Sequence, residues 1–233
     1  MKPRDLPLWG TLALAALAAF GCIFLCHGSV VWTRSLGYGL LLFLPALALG
    51  VLALVRGRIS EKLSFRLGLV LLLLGLLLQI VGGFLLIFFL GFTDETDDFR
   101  FYRRALRRSS YAASELANLD VFPDSVPEHA QNVGFHFQPA VLQGGEELYL
   151  TCTLPQEAVQ ALEKRLEPIS REIVPAGPQN TWEPRILQWF SQSGPWTRYR
   201  LTEPGESGRN HGTSLCVYLC PSTNQVIWTY DRW

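Results

Sequence analysis

The chain has 233 residues, 49% of them hydrophobic, and its positive mean hydropathy of +0.20 excludes an ordinary soluble protein of average composition. Its formal net charge is zero because two unlike parts cancel. Seven basic and two acidic residues precede Asp94, against 13 basic and 18 acidic residues from Asp94 onward. The acidic second part argues against nucleic-acid binding, because phosphates select basic surfaces.

Three apolar runs, at residues 8–26, 36–55 and 67–92, contain no Lys, Arg, Asp or Glu. A helix that rises about 1.5 Å per residue needs roughly 20 such residues to cross a hydrocarbon core of about 30 Å. In lipid, an unsatisfied backbone polar group costs several kcal/mol, so each run must be helical. The sequence therefore predicts a three-helix transmembrane region over residues 1–92, with the lipid bilayer as its partner.

A cleaved signal peptide is the alternative interpretation of the first run. Lys2 and Arg4 precede the run, and the stretch from residue 17 to Cys22 resembles a bacterial lipobox. The apolar character continues through residues 23–25, however, where a mature lipoprotein normally becomes polar. We therefore predict that the first span is an uncleaved helix.

The basic residues that flank the spans predict the orientation of the protein. Two precede the first span, one lies in the first connection and four crowd the second connection: Lys2, Arg4, Arg34, Arg56, Arg58, Lys62 and Arg66. The positive-inside rule then places the amino terminus in the cytoplasm, and three crossings place the carboxy-terminal domain outside. The sequence thus predicts a multi-pass protein of the cell membrane with an extracytoplasmic domain.

Five arginines soon after the last span oppose this orientation, although long domains translocate largely regardless of charge. They are Arg100, Arg103, Arg104, Arg107 and Arg108. Polar and apolar residues alternate here at helical spacing, which predicts a basic amphipathic helix over residues 93–118 that continues from the third span. Each arginine near anionic lipid headgroups contributes about 1 kcal/mol, so a lipid contact is one interpretation and a solvated face is the other.

The spans themselves contain little chemistry. Gln79 is the main polar side chain, and a hydrogen bond to a neighbouring helix is its simplest role. Pro45 predicts a kink in the second span. Small residues, among them Gly75, Gly82 and Gly83, suit either a compact three-helix anchor or an oligomer. A pump or channel normally needs ionisable groups within the membrane, so the sequence favours an anchor.

Residues 119–233 predict one small α+β domain with an antiparallel sheet, which follows the α-helical membrane anchor. Alternating patterns indicate strands at 134–137, 147–153 and 196–201, and a hairpin joins 214–220 to 225–230. Apolar stripes indicate helices from Pro155 to Pro168 and over residues 182–190.

One stretch of this domain resembles a pattern in uncharacterised membrane-anchored and lipoprotein-like proteins of Gram-positive bacteria. The residues that carry the resemblance are Phe122, Pro123, Val126, Pro127, Asn132, Val133, Phe135, Phe137, Pro139, Leu142, Gln143, Gly144, Gly145 and Leu148. The resemblance covers about a third of the domain. It implies a bacterial envelope protein and transfers no catalytic residue.

Cysteines and histidines are the remaining candidates for chemistry. Cys216 and Cys220 lie four residues apart on one strand, more than about 12 Å apart and too far to bridge each other. Cys152 can pair with either of them in an oxidising compartment, or all three are buried thiols. The spacing of these residues predicts no metal site and no cofactor. No G-x-S-x-G, H-E-x-x-H or phosphate-loop motif is present in the sequence.

These patterns leave three functional hypotheses. The leading one is a non-enzymatic, membrane-anchored extracytoplasmic domain that binds a protein, a peptide or an envelope component. The second is an accessory subunit of a larger membrane complex, such as a transporter, with the spans as the interface. The third is an enzyme of an unrecognised family, which requires His136, His211 or a cysteine to cluster with a carboxylate. The sequence leaves the ligand, the partner and the oligomeric state open.

Overall fold

A computed structural model describes residues 5–140, 145–176, 194–203 and 212–233. The chain separates into two compact units, Met1–Asp94 and Glu95–Trp233. The boundary between them follows the end of the third apolar run.

The first unit is a bundle of long apolar helices. Its elements are α1 (Leu6–Gly28), α2 (Trp32–Leu40), a 3-10 turn (Leu41–Phe43), α3 (Leu44–Val55) and α4 (Glu61–Thr93). Among the described residues, three helical stretches are long and apolar enough to cross a membrane, with α2, the turn and α3 together forming the second. The prediction of three long apolar helices is therefore confirmed.

Pro45 lies directly after the 3-10 turn that separates α2 from α3. Proline has no backbone N–H, and its ring collides with the carbonyl four residues earlier, so the regular α-helix cannot run straight through this position. A 3-10 turn at this point adjusts the backbone while its hydrogen bonds stay internal to the chain. The second span therefore contains a 3-10 turn just before Pro45, where the sequence predicts a kink.

The interior of the bundle is built from aliphatic side chains around one close approach between helices. Leu14 and Leu49 are fully buried and pack in one cluster with Ala46 and Leu52. Gly75 of α4 lies against Leu14, so that an added Cβ atom would lie only 2.7 Å from the Leu14 Cδ1 atom. Small residues let transmembrane helices approach in this way, which maximises van der Waals contact where no hydrophobic driving force operates.

The second unit contains a six-stranded sheet and two short helices. Its elements are α5 (Tyr102–Arg108), β1 (Gln131–Gln138), β2 (Glu146–Thr153), α6 (Gln156–Leu166), β3 (Glu172–Ala176), β4 (Trp196–Arg200), β5 (Thr213–Cys220) and β6 (Gln225–Arg232). The strand order is β1-β2-β6-β5-β4-β3, and every neighbouring pair is antiparallel. The predicted α+β class with an antiparallel sheet is confirmed.

The register gives two neighbouring rows across the sheet different chemistry. One row across the sheet is apolar or aromatic: Phe135, Leu150, Trp228, Val217 and Tyr199. The helices pack on this face, where the Tyr199 hydroxyl donates to Glu163 of α6 at 3.0 Å and the ring of Tyr102 meets that of Phe135 edge-on. The next row, on the opposite face, is polar and is here called the polar row: His136, Tyr149, Thr229, Cys216, Arg200 and Glu172.

The basic segment differs from its prediction. The sequence predicts one helix over residues 93–118, but only α5, preceded by a 3-10 turn at Phe99–Phe101, has regular helical structure before a second 3-10 turn at Glu115–Leu119. Thr96 instead exchanges two backbone hydrogen bonds of 2.9 Å with Phe137 of β1. At the other end, the Ser109 hydroxyl donates to the Leu106 carbonyl and the Ser109 backbone turns extended, which ends the helix.

Most other predicted elements of the domain are confirmed. The strands β1, β2, β4, β5 and β6 and the helix α6 occur where alternation and apolar stripes indicate them. Strand β3 is not predicted, because it has only five residues and includes Pro175. The helix predicted over residues 182–190 lies outside the described residues.

Candidate functional site

Gln79 lies in the middle of α4 and joins three helical segments. Its side-chain nitrogen donates to the carbonyl oxygens of Leu14 at 2.8 Å and Leu42 at 3.0 Å. Both amide hydrogens are therefore used inside the bundle, as the sequence analysis expects for a helix-to-helix contact. The geometry gives Gln79 a role in packing the anchor.

Asp94 forms the second polar centre of the anchor, which is here called the Asp94 clasp. Its carboxylate accepts from the Ser29 hydroxyl at 2.5 Å, from the Val30 N–H at 2.7 Å and from the Val31 N–H at 3.0 Å. The side chain is buried, and it ties the end of α4 to the connection between α1 and α2. The signal that the sequence analysis missed is an acidic residue directly after the third span. Its hydrogen-bond donors lie in the connection between the first and second spans, which is far away in sequence.

An apolar groove runs between the second and third spans, with a volume of about 510 Å³. Leu42, Pro45 and Ala48 line one wall, and Gly75 and Gln79 lie on the other. The Gln79 Oε1 atom is buried and has no hydrogen-bond partner among the described residues. The groove is therefore mainly apolar, with Gly75 and Gly82 on one side, Ala48 on the other and one buried polar atom.

In the soluble domain the structure brings His136 together with two carboxylates. Its Nδ1 atom lies 2.6 Å from Asp97 Oδ1, and its Nε2 atom lies 3.6 Å from Glu147 Oε2. Next to it, the Tyr149 hydroxyl donates a short hydrogen bond to Asp231. The sequence analysis names His136 without identifying its partners, because Glu147 approaches it only when β1 pairs with β2, and Asp97 only when Thr96 bridges to Phe137.

The burial of this cluster favours a structural role over a catalytic one. His136 is 3% exposed and Tyr149 is fully buried, whereas Asp97 at the surface is 80% exposed. A catalytic acid or base must reach a substrate, whereas the buried imidazole of His136 is held by Asp97 and the buried Tyr149 hydroxyl donates to Asp231. Together with the bridge from Thr96 to Phe137, the contact from Asp97 to His136 fixes the chain that leaves the third span to the edge of the sheet. The other candidate histidine, His211, lies outside the described residues.

The sheet register does not bring Cys152 to either of its predicted disulfide partners. Cys152 pairs with Val226 of β6, whereas Cys216 and Cys220 lie on β5 with their side chains on the opposite sheet face. Strand β6 lies between them, and strands are about 4.8 Å apart, so the cysteines are roughly 10 Å apart or more across the sheet. All three are buried free thiols in this structure.

We expect these thiols to resist alkylation in the folded protein. Burial raises the pKa of Cys152 to about 12 and raises the pKa of Cys216 as well, so little nucleophilic thiolate exists at pH 8. Iodoacetamide should label both positions only after unfolding, as measured by peptide mass spectrometry. Cys26 lies in the first span and is partly buried, so it does not serve as an accessible control thiol. An introduced Ser125→Cys on the exposed loop is the control instead. A bridge from Cys152 to Cys216 or Cys220 in unreduced protein would contradict the register.

The five arginines fall into two groups. Arg100 is paired with Asp98 through several contacts of 2.5 to 2.9 Å, and Arg104 and Arg108 also have interactions within the structure. Arg103 and Arg107 are exposed and make no ion pair with a described residue. The basic segment therefore presents two unpaired guanidinium groups rather than five.

Glu146, the first residue of β2, is a buried carboxylate. Its Oε1 atom accepts from the Ser110 N–H at 2.7 Å and from the Ser110 hydroxyl at 3.0 Å, and that hydroxyl also contacts the Tyr230 hydroxyl. Burial raises the pKa of Glu146 above the ordinary glutamate value, even though these hydrogen bonds favour the charged form.

We expect Glu146→Gln to change how stability depends on pH. Because the folded pKa lies above the unfolded pKa, the folded state binds the proton more tightly, and stability falls as pH rises through that interval. Glutamine keeps an acceptor for Ser110 without a buried charge, so the variant should lose this pH dependence. Its stability relative to that of the parent protein should therefore be higher at pH 8 than at pH 4. Unfolding of the full chain in detergent at several pH values measures this. The exposed Glu128→Gln is the control, and equal pH profiles for both variants would contradict the expectation.

Comparison of the chain with protein-family models, with curated proteins and with solved structures yields no match.

Proposed function

We propose that this protein is a membrane-anchored binding module that uses three packed spans to hold an extracytoplasmic α+β domain and catalyses no reaction. The carrying observation is the use of polar groups in the anchor. Gln79 donates both amide hydrogens to the carbonyl oxygens of Leu14 and Leu42. The Asp94 carboxylate accepts hydrogen bonds from the connection between α1 and α2. Polar groups committed to holding helices together suit an anchor and do not suit a transport pathway.

The chemistry of the domain supports the same proposal. Its cysteines are buried, burial raises the pKa of Cys152 and Cys216, and the imidazole of His136 is buried and hydrogen-bonded. A nucleophile or a general base needs both access and a suitable pKa. The ligand class that we propose is a protein, a peptide or another envelope component, and the resemblance to Gram-positive membrane-anchored proteins supports a bacterial cell envelope as the setting.

The orientation rests on charge. Arg58, Lys62 and Arg66 are exposed around the connection between the second and third spans, while the first connection carries only Arg34. By the positive-inside rule this places the second connection in the cytoplasm and the domain outside.

Protease shaving of intact cells tests this orientation. A tag after Trp233 should be lost from intact spheroplasts, while a cytoplasmic control protein survives. Protection of the tag until lysis would overturn the extracytoplasmic placement. Turnover of any envelope substrate by the purified protein would overturn the non-enzymatic part of the proposal.

A specific observation favours a second candidate, an accessory subunit of a larger membrane complex. The groove between the second and third spans is lined mainly by leucines but includes Ala48, Gly75 and Gly82, and the Gln79 Oε1 atom there has no hydrogen-bond partner among the described residues. Small residues beside a polar group are typical of interfaces between transmembrane helices.

Exchange of the spans separates the two candidates. Replacement of residues 1–92 by an unrelated three-span anchor with the same orientation should leave partner binding intact for a binding module. For an accessory subunit, the same exchange should abolish co-purification in mild detergent.

A further inference from the structure

A small exposed face at the start of the soluble domain combines one aromatic ring with the two arginines that make no ion pair with a described residue. Arg103 and Arg107 lie four residues apart on one side of α5, and Phe99 lies in the 3-10 turn directly before that helix. Phe99 is 49% exposed, although a ring of this size is normally buried. We call these three residues the basic-aromatic face.

The opposite side of the same segment is fixed to the domain. Tyr102 and Leu106 are buried, and the Tyr102 hydroxyl donates to the Pro123 carbonyl at 2.6 Å. Ser109 then ends the helix through its bond to Leu106. Because these contacts set the rotation of α5, the outward direction of the basic-aromatic face is a property of the fold and not of a free side chain.

The chain keeps this face close to a bilayer. Phe99 follows Thr93, the last residue of α4, by only six residues. Six residues span at most about 20 Å when fully extended, so Phe99 cannot move far from the point where the third span ends. An aromatic ring flanked by cations is the side-chain combination that lies in a headgroup region, with the ring among the upper acyl carbons and the guanidinium groups on phosphates.

We propose that the basic-aromatic face docks on anionic lipid headgroups of the membrane that holds the anchor. Arg103 and Arg107 bind the phosphates, and Phe99 inserts into the interface beside them. Arg100 takes no part, because Asp98 neutralises it. The contact orients the domain on the bilayer, and it does not depend on which side of the membrane the domain occupies.

The test uses the full chain in nanodiscs, with benzoylphenylalanine in place of Phe99 as a photo-crosslinker of similar shape. One set of discs contains a mixture of phosphatidylglycerol and phosphatidylcholine, and the other contains phosphatidylcholine alone. We expect a lipid adduct at position 99 in the anionic discs and several-fold less in the neutral discs. High salt should reduce the adduct in the anionic discs, because exposed charges are screened.

Substitution of both arginines supplies the decisive comparison. Each cation near an anionic surface strengthens binding roughly fivefold, so Arg103→Gln with Arg107→Gln should weaken docking by about 30-fold. Arg165→Gln with Arg171→Gln removes the same charge from exposed positions elsewhere in the domain and should leave the adduct unchanged. Arg103→Lys with Arg107→Lys keeps the charge and should restore the adduct, which excludes misfolding as the cause of a loss.

Three outcomes would overturn the proposal. They are the absence of a lipid adduct at position 99, an equal yield in anionic and neutral discs, and an equal loss for the two glutamine pairs. In native membranes, an adduct of position 99 with a protein in place of lipid would also overturn it and would assign the face to a protein partner.

Discussion

Replacement of Gly75 by leucine should lower the stability of the anchor by about 3 kcal/mol, because the new side chain has no space where α4 approaches its neighbours. A Cβ atom alone would lie 2.7 Å from the Leu14 Cδ1 atom and 3.0 Å from the Pro45 Cβ atom. Leu14 is fully buried and packs with Leu49, so it cannot move aside without disturbing the cluster. The helices must therefore separate, and the hydrogen bonds of Gln79 to Leu14 and Leu42 should weaken with them.

Gly83→Leu is a matched control for this change, since it makes the same substitution on the same helix. A Cβ atom at Gly83 meets no heavy atom within 4 Å. Denaturation in mixed micelles, followed by the fluorescence of Trp9 and Trp32 and by gel-shift mobility, compares the two variants with the parent protein. Equal stability of the two variants would show that the close approach of α4 to Leu14 does not form in the membrane.

Replacement of Asp94 by alanine should also cost about 3 kcal/mol, because it removes three hydrogen bonds to one carboxylate and leaves two backbone donors without a partner. The N–H groups of Val30 and Val31 belong to buried residues, so water does not readily take the place of the carboxylate. Asp94→Asn keeps one acceptor oxygen and should lose roughly half as much.

The effect of Asp94→Ala should be local to one end of the bundle. We expect faster amide hydrogen exchange at Val30 and Val31 in detergent, together with the lower stability of the whole bundle. Asp124→Ala removes one carboxylate from an exposed position and should change neither quantity. Unchanged exchange at Val30 and Val31 in the Asp94→Ala protein would exclude the clasp.

Both large effects arise from positions that the sequence marks only weakly. Gly75 is one of several small residues in the spans. Gly83 resembles it in sequence, but a Cβ atom added at Gly83 would meet no heavy atom within 4 Å. Asp94 resembles the nearby Glu95 in charge, yet only Asp94 lies where two free N–H groups of another connection point. The members of each pair have similar side-chain chemistry and differ in their three-dimensional neighbours, so no pattern in the sequence distinguishes them.

The same reason explains the outcomes in the soluble domain. Alternation indicates β2, β5 and β6 individually, because period-two patterning depends on residues that are adjacent in sequence. The strand order, with β6 between β2 and β5, is a long-range property. The register places Cys152 and Cys216 on opposite sheet faces, and the backbone bridge from Thr96 to Phe137 brings Asp97 to His136. Both outcomes depend on pairings between residues that are distant in sequence.

The amino-acid sequence by itself determined the three spans, the irregularity at Pro45, the α+β class and the positions of most strands. These features follow from local rules, since the length of an apolar run, the chemistry of proline and the periodicity of side chains act within a few residues. The tertiary structure alone decided that Gln79 and Asp94 hold the anchor together and that Glu146 is buried. It also decided that Arg103 and Arg107 make no ion pair with a described residue and lie near an exposed Phe99. Hydrogen bonding, burial and charge pairing depend on which distant residues become neighbours, and only the folded chain establishes that.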